Sequence, residues 1–199
     1  MNIKPIYVFQ KAALPADFCA KVIELGEKLP VRTGDSLGFG QGARDDVKIR
    51  STERGFFPRG AEYDWIYQHV LQFVNAANKR YWNFRIGQTE SFQFGVYHPG
   101  QFYSWHVDQF PEPYKEPSSV AGLTRKLSIT VQLTDGSDYE GGDFEFREPC
   151  DPDKIERVDG TRALGSVIVF PSFVMHRVLP VTKGIRRSLV GWILGPPFV

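Results

Sequence analysis

The hydrophobic period changes part-way along the chain, and that change limits the fold more than any single motif does. In residues 14–29, Phe18, Val22, Leu25 and Leu29 recur at helical spacing, Pro15 suits a first turn and Asp17 suits the N-terminal dipole. Residues 62–81 form a clearer helical stripe of Ile66, Val70, Phe73, Ala77 and Tyr81, opened by acids and closed by Lys79 and Arg80. From about residue 83 the period becomes two. Segments 90–97, 126–133, 143–147, 166–170 and 187–194 are short, rich in β-branched and aromatic residues, and separated by Gly, Pro and Asp turns. Two helices followed by many short strands predict a mainly β fold, a sandwich or jelly roll with both N-terminal helices packed on one face. A doubly wound α/β fold is disfavoured, because no helical pattern separates the later strands.

Between the two helices, residues 31–60 carry six glycines and five arginines without a clean period. They read as an irregular surface excursion with a short strand at Val47–Arg50. A weak helical excursion is expected at Pro152–Arg157. At 199 residues the chain is long enough for one domain with its own core. That domain divides into helical support over residues 1–82 and a β core over 83–199. Lys plus Arg number 24 and Asp plus Glu 23, so the net charge of +1 lacks the basic footprint of a general nucleic-acid binder. No apolar run approaches the roughly 18 residues of a membrane helix, and the start lacks a signal peptide's apolar segment. Two cysteines, Cys19 and Cys150, are too few for a disulfide framework. The expectation is a soluble, cytoplasmic protein that binds neither nucleic acid nor membrane, of open oligomeric state.

The chain has four histidines. His69 lies in the second helix and reads as structural. His106 and Asp108 form an H-x-D pair in the stretch GVYHPGQFYSWHVDQF. In an extended strand residues i and i+2 point the same way, so imidazole and carboxylate converge. By itself this short pattern also fits a packed His beside an exposed, salt-bridging Asp. His176 ends the apolar stretch SVIVFPSFVMH, and a jelly roll can bring such distant strands together. Two histidines and one carboxylate on one face, with sites left open, make the facial triad of non-haem Fe(II) oxygenases. Ten residues beyond His176 stands Arg186, which can hold a carboxylate bidentately inside an apolar barrel. Strand alternation sends its neighbour Arg187 to the opposite face, as a surface charge.

The blocks YHPGQFYSWHVD, RKLSITVQLTDGSDYEGGDFEF and GSVIVFPSFVMHRVLPVTKGIRRSLVGWI resemble the 2-oxoglutarate- and Fe(II)-dependent dioxygenases, in the prolyl-4-hydroxylase-like branch that includes the PKHD-type hydroxylases. The likeness covers roughly residues 90–195. It implies a double-stranded β-helix, Fe(II) as metal, 2-oxoglutarate and O2 as co-substrates, and ascorbate as an optional reductant. His106, Asp108 and His176 match the iron ligands. Arg186 matches the basic residue that pairs with the far carboxylate of 2-oxoglutarate, where the collagen-type branch usually has Lys. Tyr97 matches a tyrosine bonded to the same co-substrate, and Tyr103 and Trp192 match positions on the substrate side. Asp108 disfavours the halogenase variant, in which a small residue frees a site for halide. His98, next to Tyr97 but of opposite strand parity, is expected not to be a ligand.

The implied activity is hydroxylation of an unactivated C–H, in a prolyl or other amino-acid side chain of a peptide or protein. A free amino acid or other small molecule is the alternative substrate. Two further classes remain: a non-catalytic jelly-roll module that binds metal or sugar, and a degenerate oxygenase acting as a regulator. Residues 109–125 and 44–60 are candidate lids over the mouth.

Overall fold

A computed structural model describes residues 4–33 and 50–198. The N-terminal elements are β1 (Val8–Gln10), α1 (Ala16–Gly26), β2 (Arg32–Thr33), β3 (Arg50–Ser51), β4 (Glu53–Phe57) and α2 (Asp64–Ala77). A single π turn, Asn78–Trp82, follows α2. Then come β5 (Gln88–Thr89), β6 (Phe92–Tyr97), β7 (Phe102–His106), β8 (Thr124–Gln132), β9 (Tyr139–Gly141) and β10 (Phe144–Glu148). The chain ends with β11 (Asp151–Arg157), β12 (Val167–Pro171), β13 (His176–Val178), β14 (Val181–Gly184) and β15 (Arg186–Gly195).

The major sheet runs β1-β12-β8-β15-β6-β4-β2, with β5 added to β15. The minor sheet runs β11-β10-β13-β7-β3, and β14 pairs with β9. Among the described residues, the strand pairings within both sheets are antiparallel, as expected of a jelly roll. Alternation along the major strands sorts residues between two cores. Leu127, Ile129 and Val131 of β8, Val167 and Val169 of β12, and Leu189 and Ile193 of β15 cluster with Phe18, Cys19 and Val22 of α1 and Ile66, Val70 and Val74 of α2. Both helices therefore cover the outer face of the major sheet. Burying each such aliphatic side chain contributes roughly 1.5–3 kcal/mol. Ile168 and Phe170 point the other way, into a second cluster with Phe144, Phe146 and Val178 between the sheets.

Several expectations shift. Residues 151–157 form a strand instead of a helical excursion, with Glu145 opposite Arg157 and Arg147 opposite Ile155. The segment has no apolar face at helical spacing, and pairing to β10 brings Arg157 to Glu145 at 2.9 Å. The 31–60 excursion contains a sheet strand: β4 pairs with β6 and buries Phe57 completely. Gly55 belongs there because a Cβ would stand 2.8 Å from Leu29 Cβ. The residues before 83 thus supply strands to both sheets besides the helices. The strand expected at Val47–Arg50 appears only as β3, since residues 47–49 lie outside the described residues. On α2 the buried stripe is Ile66, Tyr67, Val70, Val74 and Ala77, while Tyr81 lies in the π turn and is exposed. Tyr67 links helix to sheet, donating to the Phe57 carbonyl at 2.5 Å and accepting from Phe92 N–H at 2.9 Å.

Candidate active site

His106 is the last residue of β7 and His176 the first of β13, and the two strands set them directly opposite each other. Asp108 lies just past the end of β7, so the turn there, as well as strand parity, aims its carboxylate. Its Oδ1 is 3.7 Å from His106 Nε2 and its Oδ2 is 3.6 Å from His176 Nε2. One ligand atom from each residue lies within 4.8 Å of the others. The tautomers follow from the backbone. His106 Nδ1–H donates to Ser104 O at 2.7 Å and His176 Nδ1–H to Val174 O at 2.9 Å, because a carbonyl only accepts. Both Nε2 lone pairs are left facing the carboxylate, as a metal ligand requires.

The charge state agrees. Burial, reinforced by His176, pushes the His106 imidazolium from 6.5 down to about 3, so the ring is neutral near pH 7. Burial alone would raise the Asp108 carboxyl. The facing His176 and His106, Arg125 and the Ser128 hydroxyl outweigh it and hold Asp108 below the usual carboxylate range. Ser128 Oγ donates to Asp108 Oδ2 at 2.7 Å, and Asp108 N–H donates to Ser172 O at 2.8 Å. Two imidazoles with their Nε2 atoms turned toward one oriented carboxylate are a donor set suited to non-haem Fe(II).

The same cavity is lined by Tyr97, Tyr103, Arg186 and Trp192, and also by Arg50, Gln93, Thr130 and Ser188. Arg186 is buried and makes no side-chain hydrogen bond or ion pair among the described residues. Its guanidinium lies 5.2 Å from the centre of the Tyr97 ring, its cross-strand neighbour. Gly142 gives it room: φ is +64°, and a Cβ there would meet Arg186 Cδ at 2.9 Å. A buried guanidinium without an anion is costly, which favours an anionic guest such as a carboxylate.

Tyr103 stacks on His106 with ring centres 3.4 Å apart. Trp192 lies at the level of Ser128, and its buried indole N–H has no hydrogen-bond partner among the described residues. His98 stands apart, 3.4 Å from Glu53, and His69 bonds its own helix at Trp65 O. Arg187 does face away from the cavity, but it is half-buried and pairs with Glu27 at 2.7 Å instead of standing free in solvent.

Sequence inspection alone does not find the supports. Arg125 is held by Glu90 through two 2.6 Å hydrogen bonds, lies 4.0 Å from the Trp192 ring centre and 4.5 Å from that of Phe110, and donates to Asp108 O at 3.3 Å. Tyr114 donates to the same Glu90 at 2.7 Å. The loop after the H-x-D is thereby tied to the backbone of Asp108 and to the cavity wall. The hydrogen bonds among them span 17 to 35 residues. The runs R-K-L-S in β8 and T-E-S before β6 carry no local mark of them.

The model of the 2OG-Fe(II) oxygenase superfamily matches residues 92–194, just over half of the chain. The chain belongs to that superfamily. Membership implies Fe(II), 2-oxoglutarate and O2, and the triad with Arg186 fits them. Among curated proteins, this superfamily member is 37% identical over 112 residues to a PKHD-type hydroxylase of Gloeothece citriformis, covering 55% of this chain and 44% of the relative. It is 33% identical over 101 residues to one of Idiomarina loihiensis, covering 49% and 38%. The chain therefore spans less than half the length of these relatives. Among solved structures, it resembles a Pseudomonas putida prolyl-4-hydroxylase at TM-score 0.64 and 23% identity, covering 94% of this chain and 91% of that one. A Trichoplax adhaerens prolyl hydroxylase, solved with a hypoxia inducible factor oxygen degradation domain peptide fragment, matches at TM-score 0.70 and 17% identity, covering 96% and 84%. Both likenesses establish the double-stranded β-helix fold. Among the described residues, no helix is long and apolar enough to cross a membrane.

Proposed function

We propose that the chain is a single-domain Fe(II)- and 2-oxoglutarate-dependent hydroxylase acting on an amino-acid side chain, prolyl or other, in a peptide or protein. The observation that carries this is one cavity holding both the His106–Asp108–His176 cluster and the buried Arg186, which has no ion-pair partner among the described residues. His106 Nε2, Asp108 and His176 Nε2 hold the metal, with Ser128 fixing the carboxylate. Arg186 and Tyr97 take the far carboxylate of 2-oxoglutarate at the deep end. Tyr103 and Trp192 wall the side on which the substrate enters. Fe(II), when bound, couples decarboxylation of 2-oxoglutarate by O2 to insertion of oxygen into a C–H bond, giving succinate and CO2. The protein's part is ligand geometry, an anchor for the dicarboxylate and exclusion of water by the aromatic walls.

The PKHD-type hydroxylase names of the relatives support the reaction class, and the peptide seen with the Trichoplax neighbour supports a peptidyl substrate. Both cysteines are free, which favours a reducing, cytoplasmic setting. The test is a screen of peptides and free amino acids for a +16 mass shift that requires Fe(II) and 2-oxoglutarate. Product on peptides supports the proposal, and product confined to small molecules would move the substrate class. No succinate under any condition would remove the enzyme assignment.

A further inference from the structure

Arg186 is not the only guanidinium in the cavity. Arg50 on β3 is 6% exposed and sits opposite Tyr103 of β7, so both side chains share the cavity face of the minor sheet. Its guanidinium carbon is 4.5 Å from the Tyr103 ring centre, and Tyr103 in turn stacks on His106. Arg50 is thus two stacked layers from a metal ligand. Its Nε donates to Thr52 Oγ1 at 3.1 Å. No carboxylate of a described residue reaches ion-pair distance of it.

We propose that Arg50 receives a carboxylate of the primary substrate, so that the molecule hydroxylated carries a carboxylate close to the reacting C–H. This rests on the function proposed above. Charge counting supports it. With neutral imidazoles, the ferrous ion is offset by Asp108 and by the two carboxylates of 2-oxoglutarate, once Arg186 is included. The positive charge of Arg50 is then left over in an enclosed space, where an uncompensated ion is expensive. One monoanion restores neutrality. A phosphate monoester, at about −1.5 to −2, would overshoot. The guanidinium lies over the Tyr103 ring, and the Thr52 contact occupies Nε, so the two terminal amino groups are the ones open to a fork-like contact with a carboxylate.

The carboxylate can be a chain terminus, an acidic side chain or the α-carboxylate of a free amino acid. Calorimetry on the Fe(II)- and 2-oxoglutarate-loaded protein without O2 separates them. The probes are N-acetylproline against N-acetylprolinamide, and amidated peptides with Glu against Gln beside a proline. At least one pair should show the carboxylate member binding about 10- to 100-fold more tightly, the range for a charge-assisted contact. Arg50→Gln should abolish the difference and Arg50→Lys should keep part of it, with thermal melting to confirm that both variants fold. No carboxylate preference in any pair with the wild-type protein, or a preference that survives Arg50→Gln, overturns the inference and leaves the functional proposal standing. Failure of the wild-type protein to bind 2-oxoglutarate overturns both.

Discussion

Leu127, Ile129 and Val131 of β8 face the helices, whereas the interleaved Ser128, Thr130 and Gln132 lie on the other face and are equally buried. On β15 the same alternation sets Leu189 and Ile193 against the helices and Arg186, Ser188 and Trp192 against the cavity. The outer face is apolar, and its side chains are satisfied by one another. On β8 and β15 the inner face is largely polar, beside the apolar cluster of Ile168, Phe170 and Phe144, and among the described residues Arg186 on it has no ion-pair partner. A fold stabilised mainly by one face can leave the other under-satisfied, ready for a metal, a dicarboxylate and a substrate. Damage to the two faces should therefore separate into lost stability and lost binding.

The largest effect is expected on the outer face. Phe57→Ala removes a fully buried ring packed against Tyr63 and Phe94 and should cost about 3–5 kcal/mol in denaturant unfolding. Arg186→Ala, at a similar burial, should leave the stability of the metal-free protein unchanged or raised, because the charge it deletes has no ion-pair partner among the described residues. The same variant should weaken 2-oxoglutarate binding by roughly two to three orders of magnitude, since about 3–5 kcal/mol is lost when one partner of a buried pair is removed. A large loss of stability together with unchanged 2-oxoglutarate affinity would collapse the distinction between the faces. Ser128→Ala removes the hydroxyl that fixes Asp108 and should lower metal affinity about 10- to 100-fold, read by metal titration.

A pH titration sharpens the contrast further. His106 resists protonation when folded, down to about 3, but titrates near 6.5 when unfolded. The unfolded chain therefore binds more protons between those values, and stability of the metal-free protein should fall as pH drops through that window. The slope should be about 1.4 kcal/mol per pH unit from this residue alone. Asp108, held low when folded, adds a loss in the same direction at more acid pH. His106→Gln should flatten the slope between pH 6.5 and 3. The smallest effect is reserved for Arg187→Ala, which removes a half-buried ion pair with Glu27 on the helix side and should leave 2-oxoglutarate affinity nearly unchanged.

The switch from helical to alternating period locates α1, α2 and the five principal strands in the sequence. The H-x-D pair, His176 and Arg186 are readable because local alternation and residue chemistry mark them. Elements whose stability is borrowed from neighbours are not. β4 hides in a Gly- and Arg-rich stretch because its apolar face is only Phe57 plus a glycine fitted under Leu29. β11 has no apolar pattern and exists through pairing to β10. Ser128, Arg125 and Glu90 read as ordinary strand and loop residues, and they meet Asp108 and Trp192 only once the strands are stacked.

The central claim is that one cavity binds the metal through His106, Asp108 and His176 and the dicarboxylate through Arg186. Its most direct test is succinate formation from 2-oxoglutarate under Fe(II) and O2, compared among the wild-type protein, His176→Ala and Arg187→Ala. The expected result is 2-oxoglutarate turnover in wild type and Arg187→Ala, and none in a folded His176→Ala. Full turnover in His176→Ala would contradict it.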